Sequence, residues 1–353
     1  MSGFITIALV VLVFIIVYQI GKASEYAGIL RGEEKVKAQT NRAIAWLLVI
    51  FFLLGLYGIW KCHELLIGKM LPESASVEGM AYDKMFNVTL IVTGIVFFAT
   101  QALLFWFAFR YQSTGKRTSF FFPHNNKLEI VWTTVPAIAM AVLVAIGLRN
   151  WFNITSEAPA NSEVVEVVGK QFNWLIRYPG KDGVLGKRDF RKINDANNVL
   201  GLDWADKDNT DDVISQNGEL HVIVNRPVKL IIGSRDVIHD VGLPHFRMKM
   251  DAVPGITTTM WFTPRITTEE MKKITGNPNF VYEISCDQMC GKGHYSMRGT
   301  VIVQTQAEYD EWLAKQQSYY ASVNTSAAPA AADSTGQKPA AAKTDSVKAI
   351  TMK

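Results

Sequence analysis

Long apolar runs are confined to the first 150 residues of the chain. They cover about residues 4–20, 43–60, 86–108 and 128–148. Each approaches the roughly 20 apolar residues that an α-helix needs to cross a bilayer, so the pattern predicts four membrane-spanning helices. The first run has no basic start and no clear small-residue cleavage site, which favours a retained span over a cleaved signal peptide.

The loops between these runs differ in charge. Residues 21–42 carry five basic side chains against three glutamates, residues 109–127 carry four basic side chains and no acid, and residues 61–85 carry three lysines and four acids. Basic loops stay in the cytoplasm. The N-terminus, the 61–85 loop and everything after residue 150 are therefore predicted to lie outside.

After residue 150 the pattern changes to short runs rich in Val, Ile, Tyr and Phe, separated by Gly, Pro or Asn. Runs of this kind predict β-strands, and many of them in succession predict an antiparallel sandwich or barrel. The predicted strands are Val164–Val168, His221–Val224, Val228–Gly233, Thr257–Phe262, Phe280–Ile284 and Thr300–Val303.

These patterns divide the chain into four parts. Residues 1–84 form an N-terminal extension with two predicted spans, and residues 85–149 form a helical hairpin. Residues 150–320 form the β-domain, which is interrupted by a polar insertion at 181–217 and ends with a short amphipathic helix at Gln306–Gln317. Residues 321–353 are rich in Ala, Ser, Thr, Pro and Lys, and are predicted to be a disordered tail.

Composition and charge argue against one class of function, nucleic-acid binding. The chain has 49% hydrophobic residues and a net charge of +4, but residues 150–320 carry 22 acidic against 19 basic side chains. This mildly acidic domain shows no basic patch of the kind that binds nucleic acid.

The segment from Cys286 to Met297, CDQMCGKGHYSM, carries the candidate chemistry. It offers two thiolates, an imidazole from His294 and a thioether from Met297, a set that selects copper over hard cations. Two alternatives remain for Cys286 and Cys290 when they are taken alone: a disulfide, or part of a mononuclear zinc site. The third cysteine, Cys62, stands apart and is interpreted as structural or without a role.

A second candidate ligand lies in the segment SRDVIH, which directly follows the predicted strand Val228–Gly233. Its histidine, His239, is predicted to stand at the end of that strand, where a ligand is held firmly. His245, six residues later, is assigned no metal.

Together with the membrane hairpin and the DAVPG run at Asp251–Gly255, these segments resemble cytochrome c oxidase subunit II over roughly residues 86–310. The resemblance implies a cupredoxin-like Greek-key β-domain behind a membrane α-helical anchor. It also implies a dinuclear copper centre called CuA.

The resemblance implies a ligand set as well. Cys286 and Cys290 would bridge both coppers, His239 and Met297 would complete one copper, and His294 with the backbone carbonyl of Gln288 would complete the other. Many relatives have Glu where this chain has Gln288, and that glutamate helps to bind magnesium at the subunit interface. A neutral amide weakens the expectation of magnesium here.

Further residues match the family in the membrane and aromatic segments. Glu129 matches a glutamate at the cytoplasmic mouth of a proton pathway, although a carboxylate that stabilises a helix start would look the same. The family's electron-entry tryptophan falls on Phe172, and Trp174 follows two residues later. Alternate strand residues share a face, which would allow both side chains to lie toward the donor, with Trp174 favoured over Phe172 as the entry residue. The alternative is that the aromatic run packs in the core of the sandwich, which is the more common place for a residue such as Trp174.

The implied function is electron entry into a respiratory oxidase. The donor would be a c-type cytochrome, or a cytochrome domain of a larger respiratory complex, and would dock partly through acids of the insertion such as Asp206, Asp208, Asp211 and Asp212. The haem-bearing subunit I, with other oxidase subunits, would reduce oxygen in a bacterial inner membrane, with the copper domain on the periplasmic side. The chain has no C-x-x-C-H motif for covalent haem. The alternative is a membrane-tethered copper-delivery protein.

Overall fold

The structure is a computed structural model that describes residues 2–69, 71–113, 118 and 120–326. Residues 327–353 of the predicted tail lie outside the described residues. The chain forms two compact units. The first comprises residues 1–178 and 215–315, and the second comprises residues 179–214 and 316–353.

Four long helices open the first unit. They are α1 (Ser2–Arg31), α2 (Glu33–Leu66), α3 (Val77–Arg110) and α4 (Asn126–Thr155). Within the described ranges, each contains a segment that is long and apolar enough to cross a membrane, and the four predicted spans fall inside them. Their large apolar side chains face outward, as Phe14 does at 72% exposure. That arrangement suits a lipid environment, in which the helix backbone satisfies its own hydrogen bonds.

Local sequence determines where the last two of these helices begin. The Ser76 hydroxyl accepts a hydrogen bond from Gly79 N at 2.9 Å, and the Asn125 side chain accepts one from Leu128 N at 3.1 Å. Both residues are preferred N-caps because their oxygens satisfy backbone N–H groups that a helix start leaves without partners.

The segment before α3 ties this helix to the β-domain. The Arg247 guanidinium donates to both carboxylate oxygens of Asp83 at 2.8 and 2.9 Å, and to Pro72 O at 2.6 Å. The buried Glu78 carboxylate accepts from Thr263 N at 2.8 Å. These paired and partly buried charges hold the β-domain against the outer end of α3.

The rest of the described chain contains ten strands and three further helices. The strands are β1 (Glu163–Lys170), β2 (Asn173–Tyr178), β3 (Val213–Ser215), β4 (Glu219–Ile223), β5 (Val228–Ser234), β6 (His239–Leu243), β7 (Met248–Ala252), β8 (Thr258–Phe262), β9 (Tyr282–Cys286) and β10 (Arg298–Gln304). The helices are α5 (Thr268–Thr275), α6 (Gln306–Ala314) and α7 (Tyr319–Ser326).

The strands of the first unit form a β-sandwich. One sheet contains β2, β1, β5 and β8 in that order, and the other has the order β4-β10-β9-β6-β7. Alternate residues such as Val165, Val167, Leu230 and Ile232 are fully buried, so the core lies between the two sheets. The predicted fold class, a membrane α-helical anchor with a cupredoxin-like β-sandwich, is confirmed.

Two details of the sandwich differ from the sequence prediction. The sheets are not purely antiparallel, because β1 pairs with β5 and β10 pairs with β4 in parallel. His239 does not end the strand Val228–Gly233 but begins the separate strand β6. All six predicted strands are present, and β2, β3, β6 and β7 were not predicted because their polar residues, Gly242 and short lengths hide the strand pattern.

The second unit corrects the description of the insertion as a surface loop. Val199, Leu200 and Leu202 are buried, and Trp204 packs on Tyr319 of α7 with ring centroids 6.1 Å apart. Helix α7 continues to Ser326, so ordered structure extends past the predicted tail start at 321. Aromatic residues at the start of α7 supply the apolar surface that the insertion alone lacks.

Acidic side chains of the insertion are buried or accept hydrogen bonds within the same unit. Asp212 is fully buried, Asp211 accepts from Lys181 N at 2.6 Å, and Asp206 accepts from Lys187 N at 2.9 Å. The expectation that these carboxylates form a docking surface for a donor is therefore wrong for Asp212. Asp206 and Asp211 stabilise turns of the insertion, and docking by Asp206, Asp208 and Asp211 stays a prediction.

Glu163, the first residue of β1, is expected to make the stability of the β-domain depend on pH. It is 8% exposed, and burial raises the pKa of its carboxyl group to about 7. Between pH 4.5 and 7 the folded protein keeps a proton that the unfolded chain has lost, so stability decreases as the pH rises through this range. The expected loss is about 3 kcal/mol and is complete above pH 7.

Urea unfolding of the metal-free β-domain in the detergent-solubilised chain measures this effect. Glu163→Gln should make the free energy of unfolding nearly constant between pH 4.5 and 7. Glu157→Gln, which removes an exposed carboxylate, should leave the wild-type pH dependence unchanged. The same pH dependence of the unfolding free energy in wild type and Glu163→Gln would show that Glu163 does not titrate in this range.

Candidate metal centre

The two cysteines of the copper-type motif lie side by side at one end of the sandwich. Cys286 ends β9, and Cys290 lies in the loop of residues 287–297, here called the metal loop. Their Sγ atoms are 3.8 Å apart and both side chains are buried. A disulfide requires about 2.05 Å, so both thiols are free and the disulfide alternative does not describe this structure.

His239 reaches the same point from the start of β6. Its Nδ1 lies 3.8 Å from Cys286 Sγ, and its ring is fully buried. Among the described residues, His239, Cys286 and Cys290 form the group of three whose ligand atoms lie within 4.8 Å of one another. The predicted ligand on β6 and the predicted ligand pair on β9 and the metal loop therefore meet.

The remaining predicted ligands complete the cluster. His294 Nδ1 lies 3.7 Å from Cys290 Sγ, and the buried Met297 Sδ lies 3.8 Å from the same sulfur. The Gln288 carbonyl oxygen lies 3.2 Å from Cys286 Sγ, while the Gln288 side chain is exposed. The structure thus brings together all six predicted donors, with Gln288 contributing its backbone.

His239 is held in one orientation by groups that the sequence analysis did not identify. Asp236 Oδ1 lies 2.7 Å from His239 Nε2, and Asp236 Oδ2 accepts from Gln171 N at 2.7 Å. Partial burial opposes ionisation of Asp236, but these hydrogen bonds lower its pKa. The ionised carboxylate fixes the proton on Nε2 and leaves Nδ1 free for a metal, as is common for ligating histidines.

Close backbone approach allows this arrangement. A Cβ atom on Gly169 would lie 2.6 Å from the His239 ring, and one on Gly293 would lie 2.5 Å from the Phe172 ring. Only glycine fits either position without displacing an aromatic ring. In the sequence, Asp236 precedes His239 by three residues in DVIH, and Gly169 precedes Phe172 by three residues in GKQF. These spacings indicate the roles of Asp236 and Gly169 only once the structure shows the two loops together.

The β1–β2 turn covers the metal loop. Gln171 Nε2 donates to Cys290 O at 2.5 Å, and Phe172 packs against Gly291 and Gly293. Phe172 is half-buried and lies in the two-residue turn, since Lys170 already pairs with Asn173. The turn therefore both fastens the loop and places an aromatic ring between the loop and the outside.

Trp174 lies in the core, the alternative to a position beside Phe172 on the donor side. It is fully buried, and its ring centroid lies 6.1 Å from that of His239. The alternation rule does not apply, because Phe172 belongs to the turn and only Trp174 belongs to β2. Trp174 is a core residue behind the histidine and has no surface on which a donor could dock.

The protonation of Cys290 indicates how the site takes up a metal. Burial, together with the neighbouring Cys286 thiol, raises the pKa of Cys290 to about 11 in the metal-free protein. The Cys290 thiol is therefore protonated at neutral pH, and a metal that binds it must displace a proton.

The geometry fits soft metal ions held by shared sulfur. Two ligand atoms that each bond one ion at ~2.3 Å in near-tetrahedral geometry are ~3.8 Å apart. The spacings of 3.7 and 3.8 Å between these donor atoms match that value. Two central sulfurs surrounded by four further donors are more than one tetrahedral zinc needs, so the donor set favours a pair of coppers.

Comparison with known proteins gives the family. The model of the cytochrome c oxidase subunit II transmembrane domain matches residues 65–150, and that of the subunit II periplasmic domain matches residues 163–305. The chain belongs to the cytochrome c oxidase subunit II family. It is therefore a membrane chain with a periplasmic domain and a subunit of an oxidoreductase that contains further subunits.

Individual relatives agree with this family. The alternative cytochrome c oxidase subunit 2 of Bradyrhizobium diazoefficiens is 36% identical over 67% of this chain and 80% of its own length. The cytochrome c oxidase subunit 2 of Thermostichus vulcanus is 25% identical over 78% of this chain and 86% of its own. A solved periplasmic domain of subunit II from Bradyrhizobium japonicum is 23% identical, covers 48% of this chain and 99% of its own, and has a TM-score of 0.30.

The remaining candidates of the subunit II chain lie away from the metal loop. His245 packs on Phe280 and Tyr282, with ring centroids 5.1 and 5.3 Å away, and is not part of the cluster. Glu129 lies in the first turn of α4, where its Oε1 accepts from Asn125 N at 3.4 Å. Cys62 is exposed on α2.

Proposed function

We propose that this subunit II chain binds a dinuclear CuA centre and is the electron-entry subunit of its oxidase. The observation that carries the proposal is the convergence of His239, both cysteine sulfurs, His294, Met297 and the Gln288 carbonyl at one buried point. When bound, a thiolate-bridged copper pair supplies a one-electron carrier whose charge is shared by two metals.

The chain's own residues would make such a carrier efficient. His239, Cys286 and Met297 are buried, so water is kept from the site. Hydrogen bonds from Gln171 and to Asp236 fix the metal loop and the histidine before any metal arrives. Ligands that are already held in place need little rearrangement when a charge arrives or leaves, and six donors leave no position for oxygen.

The proposal also covers the electron donor, the partner subunit and the membrane topology of the chain. The donor is a c-type cytochrome, free or part of a larger respiratory complex, and the haem-bearing subunit I reduces oxygen to water coupled to proton translocation. The chain crosses the bacterial inner membrane four times with the β-domain in the periplasm, which the charged loops support. The neutral, exposed side chain of Gln288 is a weaker magnesium ligand than a carboxylate, so an interface magnesium is less expected here than in relatives with Glu at this position.

A copper-delivery protein is the alternative. Such a protein needs one exchangeable copper and an accessible donor set. The burial of the cysteines and the additional donors from His294 and Met297 favour a permanent, two-metal site instead.

Copper content tests the ligand set. The full chain should bind two coppers and show the electron-spin spectrum of one electron shared by both. Cys286→Ser and Cys290→Ser should abolish that spectrum, because a hydroxyl does not bridge two soft metals, and His239→Ala and His294→Ala should each distort it. His245→Ala is the matched control and should leave the spectrum unchanged. A full two-copper spectrum in either cysteine variant would refute the site.

Phe172 is the proposed entry residue, in place of Trp174. Phe172→Ala should slow electron transfer after docking by about tenfold at any salt concentration, since it opens a gap between the donor and the metal loop. Trp174→Phe, which keeps the core filled, should slow transfer much less. Stopped-flow reduction of the copper-loaded chain by cytochrome c measures both, and a normal transfer rate in Phe172→Ala with full copper loading would show that electrons enter elsewhere.

Glu129 is proposed to stand at the entrance of a proton pathway in the partner subunit. Its contact with the N-cap Asn125 equally supports a purely structural role. Glu129→Gln should slow proton uptake by the assembled oxidase several-fold while copper reduction by the donor stays unchanged. Wild-type proton uptake in this variant would leave only the structural role.

A further inference from the structure

A cavity lies beside the outer half of α3, where this helix leaves the membrane toward the β-domain. Its volume is about 570 Å³, which is within the range of sites that hold small ligands. One wall is α3 and the other is the segment of residues 71–74. Arg247 joins the two walls, since it donates to Asp83 on one and to Pro72 O on the other. The cavity therefore belongs to the junction of α3 and the β-domain, with β6 between it and the metal loop.

The positions of α3 that line the cavity share one face of the helix. They recur every three or four residues and are Met80, Asp83, Lys84, Asn87, Val88 and Ile91. At a rise of 1.5 Å per residue, this face extends roughly 17 Å along the helix axis. The cavity is thus an elongated groove that follows the direction in which α3 crosses the membrane, and it is here called the α3 groove.

Polarity changes along the α3 groove where the helix enters the bilayer. The predicted span of α3 begins at residue 86, and Asp83, Lys84 and Asn87 place a carboxylate, an ammonium and an amide at this boundary. Val88 and Ile91 lie deeper in the span and are 40% and 61% exposed. A ligand with a polar end and an apolar end fits this order of side chains, and a phospholipid has that character.

The α3 groove contains as many cations as carboxylates. The charged lining residues are Lys84, Arg247, Glu73 and Asp83, whose formal charges sum to zero. Arg247 pairs with Asp83 at 2.8 Å, and Glu73 pairs with Arg265 at 2.6 Å, while Lys84 is exposed. The carboxylates keep their charge in these pairs, so a purely anionic headgroup would meet two negative groups. A headgroup that carries both a phosphate and an ammonium matches both signs.

The hydrogen-bonding groups favour one kind of zwitterion. The Lys84 ammonium and the Asn87 amide, three residues apart on α3, can both donate to a phosphate. The Glu73 carboxylate is 52% exposed and can accept from a primary ammonium. A quaternary ammonium has no N–H to donate. The groove is therefore better suited to an ethanolamine headgroup than to a choline headgroup.

We propose that the α3 groove binds a glycerophospholipid of the outer leaflet with an ethanolamine headgroup. The phosphate lies at Lys84, the ammonium lies near Glu73, and one acyl chain follows Val88 and Ile91 into the bilayer. The other apolar lining residues contact the glycerol carbons. A lipid held in this way fills the space beside the ion pair that fixes the β-domain to α3. This inference depends on the membrane position of α3 and not on the copper site.

The test uses the assembled oxidase in lipid nanodiscs that contain phosphatidylethanolamine with a photoreactive diazirine in one acyl chain. After illumination, mass spectrometry of the digested chain measures the fraction labelled around Ile91. Lys84→Gln should reduce this fraction about tenfold, because it removes a charge-assisted hydrogen bond to the phosphate. Lys61→Gln is the matched control, since it removes a lysine at the outer end of α2 that does not line the groove, and it should have no effect.

Further probes separate a lipid site from a site for small anions. Val88→Trp fills the apolar half of the groove and should also reduce labelling about tenfold, with normal assembly of the oxidase as the check on folding. The same diazirine chain on phosphatidylcholine should label the wild-type chain several-fold less. Inorganic phosphate and water-soluble glycerophosphoethanolamine, both in large excess, should not compete, because neither has an acyl chain.

Four outcomes would overturn the proposal. Equal labelling of wild type and Lys84→Gln would show only the lipids that surround any membrane helix, and competition by inorganic phosphate would show an anion site. Equal labelling by the choline and ethanolamine probes would contradict the headgroup. Labelling that spares the region of Ile91 but reaches other parts of α3 would show that a partner subunit covers the groove. Copper content enters none of these outcomes, so they are independent of the proposed function.

Discussion

The two cysteine sulfurs lie 3.8 Å apart and unbonded, and the structure around them maintains that spacing. Free thiols this close in an oxidising compartment would form a disulfide if the chain between them were mobile. Gln171 holds the backbone of Cys290, Phe172 packs on the glycines of the metal loop, and Cys286 is fixed by pairing with Met297 O at 3.1 Å. The contacts beyond the ligands therefore decide whether the site stays ready for metal.

The opposite end of the sandwich, one strand away from the metal site, is tied to the membrane helices by short contacts. Strand β6 begins with the ligand His239 and ends at Leu243, and Arg247 four residues later pairs with Asp83 of α3. Glu78 in the first turn of α3 accepts from Thr263, just after β8. A metal ligand and a membrane helix are thus separated by one strand and one ion pair. Such short connections limit how far the β-domain can move relative to α3, which matters because electron transfer depends on distance.

The sequence by itself determined the four helices and most of the strands, and the family resemblance supplied the full set of candidate donors. Apolar runs of membrane length and thiolate, imidazole and thioether groups at short spacings are local signals, and a single segment, Cys286–Met297, carries five of the six donors. Tertiary structure decided what depends on contacts between distant segments. It placed Trp174 in the core and Phe172 on the metal loop, showed that Asp236 orients His239, and packed α7 against the insertion. The places of Trp174, Phe172 and α7 could not be read from local patterns, because they are set by contacts with residues 60 or more positions away, as in the hydrogen bond from Gln171 to Asp236. The contact between Asp236 and His239 joins residues only three apart, but the course of the loop between them decides whether the two side chains meet.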